Sequence, residues 1–186
     1  MRALKWSVLL AVLFIAITVA LTGIAGASAG GRVGFSGNPA TNAGQNCTAC
    51  HGAGAATPSV SVAGPAVVNA GATNSYVVTV SGGPGITGGF NASTSGYAGT
   101  FSPVDSETEA LAGEITHNDP KAFSGGQVQF TFDWTAPANN GVVTMYAAGN
   151  STNGQGNLLG DGINTATLVS GILAMTAPAP MGISST

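Results

Sequence analysis

Alternation of apolar and polar side chains at residues 127–134 constrains the fold more than any other feature of the chain. Val128, Phe130, Phe132 and Trp134 would share one face of an extended strand, with Gln, Thr and Asp on the other. Shorter β-like runs lie at residues 59–62, 76–80, 89–92, 97–101, 142–148 and 163–170. Turn residues separate them, and no segment after residue 29 shows sustained helical periodicity. We therefore predict an all-β fold, an antiparallel β-sandwich of immunoglobulin-like type.

The N-terminal segment has the pattern of an export signal. Two basic residues precede an apolar run from Trp6 to Gly26, and Ala27-Ser28-Ala29 supplies a small-x-small cleavage site. We predict a signal peptide at 1–29 and an exported protein, located in the periplasm, at the cell surface or outside the cell. The run is also long enough to cross a bilayer, so an uncleaved N-terminal anchor is the alternative. If the signal is cleaved, we expect no transmembrane segment in the mature chain.

Composition divides the rest of the chain and excludes one class of partner. Residues 30–57 form a Gly-rich, loop-rich segment, 58–172 the predicted sandwich, and 173–186 a predicted disordered tail. Beyond the signal, Arg32 and Lys121 are the only Lys or Arg residues, against seven acidic ones. Two basic side chains cannot form the positive patch that phosphate backbones require, so nucleic-acid binding is excluded.

The two cysteines of the chain both belong to Cys47-Thr48-Ala49-Cys50-His51. Cys-x-x-Cys-His is the attachment signature of c-type haem. Two residues between the thiols match the separation of the porphyrin vinyl groups, and the adjoining histidine becomes the proximal iron ligand. We therefore predict one covalent haem c on Cys47 and Cys50, with His51 bound to the iron.

Three other interpretations of this pentapeptide remain open. A thioredoxin-like redox pair normally lies between a strand and a helix, whereas Gly, Asn and Ala flank this motif. A structural disulfide suits an exported protein but gives no reason for His51. Structural zinc requires four convergent ligands, and the chain offers at most the motif residues and the distant His117.

The order of motifs resembles that of choice-of-anchor V domains, a family of exported bacterial proteins related in shape to Reeler domains. The resemblance covers about residues 30–170. It depends on the Gly-rich lead into the haem motif, Gly89-Phe90, Ile115-Thr116-His117, Phe132-Asp133-Trp134-Thr135-Ala136-Pro137, Tyr146-Ala147-Ala148-Gly149-Asn150, Asn153-Gly154-Gln155-Gly156 and Gly160-Asp161. It implies a Reeler-like sandwich with a haem-bearing N-terminal extension. Members usually carry a variable C-terminal sorting signal, and we expect none in residues 173–186.

The second axial position of the iron has several candidate ligands. His117 is the only other histidine, it lies in a polar stretch, and the resemblance also places a histidine there. The alternatives are Met145, Met175, Met181 and water. Met145 lies in an apolar run, so core packing is its expected role. We therefore predict His117, and two imidazoles would give a six-coordinate iron suited to electron transfer.

These observations predict an exported monohaem c-type cytochrome, an electron carrier or relay in preference to an enzyme. Its partner would be an unidentified redox protein, and copies of the chain could self-associate. The alternatives are an extracellular binding or adhesion module with a structural haem, and a haem enzyme with an open sixth site.

Two polar clusters have simpler interpretations. Asn150, Asn153, Asn157 and Asp161 resemble a crude calcium loop, but a single carboxylate favours Asx turns. The acidic stretch containing Glu107, Glu109 and Glu114 is expected to be solvated.

Overall fold

The computed structural model describes residues 28–54 and 56–174, which form twelve strands and three short 3-10 turns. The strands are β1 (Gly52–Ala53), β2 (Ser59–Ala63), β3 (Val67–Asn69), β4 (Thr73–Ser81), β5 (Thr87–Thr94), β6 (Thr100–Pro103), β7 (Thr108–Leu111), β8 (Glu114–His117), β9 (Lys121–Ala122), β10 (Gln127–Thr135), β11 (Gly141–Thr152) and β12 (Leu159–Leu173). The 3-10 turns are Asn42–Gly44, Cys47–Ala49 and Ser95–Tyr97. The predicted all-β class is confirmed.

The strands are arranged in two sheets. The smaller has the order β2-β4-β10-β6, and the larger has the order β1-β12-β11-β5-β8-β7, with β3 also paired to β12 and β9 to β5. Most neighbours are antiparallel, while β1 and β3 run parallel to β12. The two sheets pack through their apolar faces, so the predicted antiparallel β-sandwich is confirmed.

Aromatic side chains from both sheets form the centre of the sandwich. The predicted alternation is seen on β10, where Val128, Phe130, Phe132 and Trp134 are buried. The Phe90 ring of β5 in the opposite sheet stacks on Phe130, with 4.7 Å between ring centroids. Contacts of this kind join the sheets at the level of β5, the strand that also lines the cavity described below.

Truncation of Phe132 tests this account of the core. The ring is fully buried and has centroids of Tyr76, Phe90 and Phe101 within 6.3 Å. Phe132→Ala is therefore expected to lower the free energy of unfolding by about 3–5 kcal/mol, measured by denaturant titration. Val142→Ala on the exposed side of β11 is the control, with an expected change within about 0.5 kcal/mol. Equal losses in the two variants would contradict this arrangement.

Two sequence expectations differ from the structure. Residues 97–101 were expected as one strand, but Tyr97 has φ 52° and closes a 3-10 turn, so β6 begins only at Thr100. The acidic stretch was expected to be solvated, yet it forms β7 and β8, and Glu114 is 1% exposed. Its Oε2 accepts a hydrogen bond from Gly34 N–H at 2.7 Å, so this carboxylate is a buried acceptor.

Several predictions concern residues beyond the described ranges. The signal peptide falls there except for Ser28 and Ala29, and so do Met175 and Met181. Within residues 28–54 and 56–174, no helix has the length and apolar character needed to cross a membrane.

Candidate functional site

The N-terminal segment is held against the larger sheet by polar contacts. Besides the bond from Gly34 to Glu114, Phe35 N–H donates to the Asn91 side chain at 2.9 Å. Ser36 Oγ lies 2.7 Å from Ser93 Oγ, and both side chains are buried. These contacts attach residues 34–36 to β5 and β8, so the segment forms a wall beside the sheet.

A cavity of about 550 Å³ lies between this segment and the larger sheet. This volume is in the range typical of sites for cofactors and other small molecules. Four parts of the chain line it, namely the residues before β1, the β5 region, the His117 region, and the β11–β12 connection with its flanks. Cys47, Cys50, His51 and His117 are all among the lining residues. The structure therefore brings every predicted haem-site residue to one cavity.

A single 3-10 turn shapes the cysteine motif. The Asn46 side chain accepts a hydrogen bond from Thr48 N–H at 2.9 Å and begins the turn. The backbone N–H groups of Cys50 and His51 both donate to Cys47 O, at 3.2 and 2.9 Å. β1 follows at once and pairs with β12. Because both ends of the turn are fixed, the two thiols and the imidazole are held on one wall.

The two thiols of the motif are free. Cys47 and Cys50 are each partly buried, and they are not joined in a disulfide. Desolvation raises the pKa of the Cys47 thiol to about 12. Reactive cysteines of redox enzymes have lowered pKa values instead, so this environment does not favour a thioredoxin-type nucleophile.

His51 contacts a buried carboxylate. Its Nδ1 lies 2.6 Å from Oδ2 of Asp161, and Asp161 is 1% exposed. The other carboxylate oxygen accepts a hydrogen bond from Asn153 N–H at 3.0 Å. Asn150 Nδ2 lies 3.2 Å from the same His51 Nδ1, while its buried Oδ1 has no described partner. With Nδ1 engaged in this way, Nε2 is the nitrogen available to a ligand.

His117 ends β8 and is fixed by the backbone of β5. Its Nδ1 lies 3.0 Å from Phe90 O and 3.1 Å from Phe90 N. Burial lowers the pKa of His117 below its ordinary value, so the imidazole is neutral at neutral pH. Metal binding requires that neutral form.

The ring of His117 packs on a glycine. A Cβ atom at position 89 would lie 2.5 Å from its Cε1 and 2.7 Å from its Nε2. Only glycine allows the imidazole to lie this close to the β5 backbone, so Gly89 fixes where the ring can be.

Met145 is placed elsewhere. It is 2% exposed within the hydrophobic core and does not line the cavity. The alternative that Met145 is the second iron ligand is therefore wrong, because its thioether is packed between the sheets. Core packing was its expected role.

The asparagine-rich connection divides into two parts. Asn153 and Asn157 accept hydrogen bonds through Oδ1 from the N–H groups of Gln155 and Leu159, which are the expected Asx turns. Asn150 and Asp161 are instead buried in β11 and β12 beside His51. Sequence reasoning assigned them no role at the site. The available signal was that Asp161 is the only charged residue after Asp133.

Across residues 28–54 and 56–174, no group of three or more His, Cys, Asp and Glu side chains is arranged to hold a metal ion.

Comparisons with known proteins do not show a family for this chain. No protein-family model matches the chain, and no curated protein matches it. One similar solved structure is the CARDB domain of the PF1109 protein in complex with di-metal ions from Pyrococcus furiosus. That match has 17% identity and a TM-score of 0.36, and covers 64% of this chain and 96% of that one. Another is the PKD domain of an M14-like peptidase from a Thermoplasmatales archaeon. It has 17% identity and a TM-score of 0.37, and covers 63% of this chain and 94% of that one.

Proposed function

We propose that this protein is an exported monohaem c-type cytochrome that carries electrons between redox partners. The observation that carries the proposal is the convergence of Cys47, Cys50, His51 and His117 on one cavity. His117 is 66 positions from His51 in the sequence, so no local constraint requires the two imidazoles to line the same cavity. Their sharing a cavity with the only two cysteines is what a covalent haem with two axial ligands would need.

The donor set and the shape of the cavity fit a haem. Two thiols can form thioethers, and two imidazoles are common axial ligands of haem iron. Gly89 leaves the wall without a side chain beside His117, where a Cβ atom would lie less than 3.0 Å from three atoms of the imidazole ring. The cavity lining is mainly apolar, with the unpartnered Oδ1 of Asn150 as a buried polar atom.

Each residue of the site has a distinct role in this proposal. Cys47 and Cys50 would hold the haem, each Sγ–H adding across one vinyl group so that sulfur forms the thioether bond and the proton goes to the neighbouring vinyl carbon. Nε2 of His51 and Nε2 of His117 would be the nitrogen ligands of the iron. To bind iron, His117 would have to donate Nδ1–H to Phe90 O, which leaves Nε2 unprotonated, whereas the hydrogen bond from Phe90 N–H to Nδ1 belongs to the other tautomer. A bound haem supplies a one-electron couple at the iron.

Rigid imidazoles support electron transfer. The Nδ1 atoms of His51 and His117 are both engaged by groups on strands of the larger sheet. Side chains held in this way need little rearrangement when the charge of the iron changes. Two imidazoles also give a lower potential than an imidazole with a thioether, so we expect a low-potential carrier.

Redox titration of the purified exported protein tests this function. A carrier is expected to show a low-spin spectrum, reversible one-electron reduction, and no rapid reaction with carbon monoxide or peroxide. Rapid reaction with either would indicate the haem enzyme with an open sixth site. The adhesion module would be indicated if the haem of the loaded protein is not reversibly reduced and partner binding survives removal of the haem.

The family and the export of the protein belong to the same proposal. Membership of the choice-of-anchor V domains rests on the motifs described above, and export rests on the segment before Gly30. N-terminal sequencing of the exported protein is expected to give a start near Gly30, whereas a start at Met1 would contradict cleavage.

A further inference from the structure

Asp161 is, with Glu114, one of two buried carboxylates among the described residues. It is 1% exposed, yet the described residues give it no Lys or Arg partner, and the side chain that pairs with it is His51. Burying a carboxylate costs free energy unless hydrogen bonds compensate, so the contact with this imidazole is the main compensation available to Asp161. The 2.6 Å separation between His51 Nδ1 and Asp161 Oδ2 is that of a strong, charge-assisted hydrogen bond.

We propose that Asp161 is a positioning residue that sets the tautomer, orientation and electron density of His51 as an iron ligand. The inference rests on the proposed cytochrome function. Because a carboxylate only accepts hydrogen bonds, Nδ1 must carry the proton and Nε2 must present its lone pair. Carboxylate partners of ligating histidines orient the ring and raise its basicity, and a more basic ligand stabilises the oxidised metal. Asp161 therefore lowers the midpoint potential.

The contacts around Asp161 support this role. Its Oδ1 is fixed by Asn153 N–H at 3.0 Å, so the carboxylate cannot turn away from His51 without losing that bond. Asp161 also lies on β12, and β1, which directly follows the motif, pairs with β12 with Ala53 opposite Asp161. The carboxylate and the imidazole are thus registered to each other through the backbone.

Asn150 completes the enclosure of the His51 ring edge. With the proton on Nδ1, the Asn150 amide nitrogen cannot donate to that atom. Turning the amide by a half rotation would place its oxygen, which now has no partner, towards Nδ1–H. Asp161 stays the nearer acceptor, because it lies 0.6 Å closer to Nδ1 than Asn150 does.

Asp161→Asn in the haem-loaded full-length protein tests the proposal. The amide keeps the size of the side chain but removes its charge, and its NH₂ group faces either His51 Nδ1 or Asn153 N–H. We expect a more positive midpoint potential, with the reduction equilibrium changed about tenfold, which is about 59 mV for a one-electron couple. The low-spin spectrum should also change, since the ring loses its fixed orientation.

Asp133→Asn is the matched control. It removes the same charge from β10, which belongs to the opposite sheet and does not line the cavity. We expect it to leave the potential and spectrum close to those of the unaltered protein. Equal shifts in the two variants would overturn the positioning role, because only the loss of net charge would then be acting.

A measurement on the unaltered protein covers failure of the variant to fold. If Asp161 holds the Nδ1 proton, ¹⁵N-edited NMR should show that proton at low field and exchanging slowly with water. Absence of a protected Nδ1 proton would contradict the inference. The two failures are distinguishable, because a protein without covalent haem refutes the cytochrome, while a haem protein with these negative results refutes only the role of Asp161.

Discussion

Replacement of both Cys47 and Cys50 by alanine is expected to abolish covalent attachment of haem completely. Cys47 and Cys50 are the only two cysteines of the sequence, and both line the cavity. No other residue can therefore form a thioether with the haem. After denaturation and extraction with acidified organic solvent, the unaltered chain should retain its haem and the double variant should retain none. Haem-stained denaturing gels give the same comparison.

Single replacements and a control sharpen this result. Cys47→Ala or Cys50→Ala should leave one thioether, so that haem stays on the chain with a reduced spectrum typical of one unreacted vinyl group. Thr48→Ala changes an exposed side chain in the same 3-10 turn and should keep both bonds. Haem retained by the double variant after extraction would contradict the attachment sites.

His117→Ala is expected to convert the low-spin spectrum to a high-spin one. The imidazole is the candidate ligand on the second face of the iron, and alanine offers no donor atom to replace it. The same variant should gain rapid binding of carbon monoxide in the reduced state, since the sixth position would become accessible. Absorption and electron paramagnetic resonance spectra of the purified protein measure the change.

Two further variants separate ligation from general damage at this wall. Asn118→Ala replaces the exposed neighbour of His117 and should leave the spectrum unchanged. Gly89→Ala keeps the imidazole but places a Cβ atom within 3.0 Å of three ring atoms, so the ring must move and the low-spin fraction should fall. A low-spin spectrum that survives His117→Ala would eliminate this histidine as the ligand.

Local periodicity predicted the central strands well, because each of them carries its own pattern. In β10 the apolar residues alternate over the whole strand, so burial of one face follows from the sequence alone. β7 and β8 lack such a pattern. Glu114 begins β8 and is buried, because a backbone N–H 80 positions away donates to it, and no local rule contains that contact.

For the candidate site, too, the sequence predicted the residues that form a local motif and not the contacts that depend on the fold. The thiols and His51 lie within five consecutive residues, so one local motif was enough to predict a haem site there. Asp161 reaches His51 across 110 positions through the pairing of β1 with β12, a contact that depends on the fold. The need for glycine at position 89 depends likewise on where β8 places the His117 ring.

The pyridine haemochrome spectrum of denatured, exported full-length protein tests the central claim most directly. Pyridine replaces the protein's axial ligands, so the spectrum reports only how the porphyrin is joined to the chain. We predict one haem per chain, with the spectrum of a haem whose two vinyl groups have both been saturated by thioether bonds. A colourless chain with Cys47 and Cys50 joined in a disulfide would contradict the account.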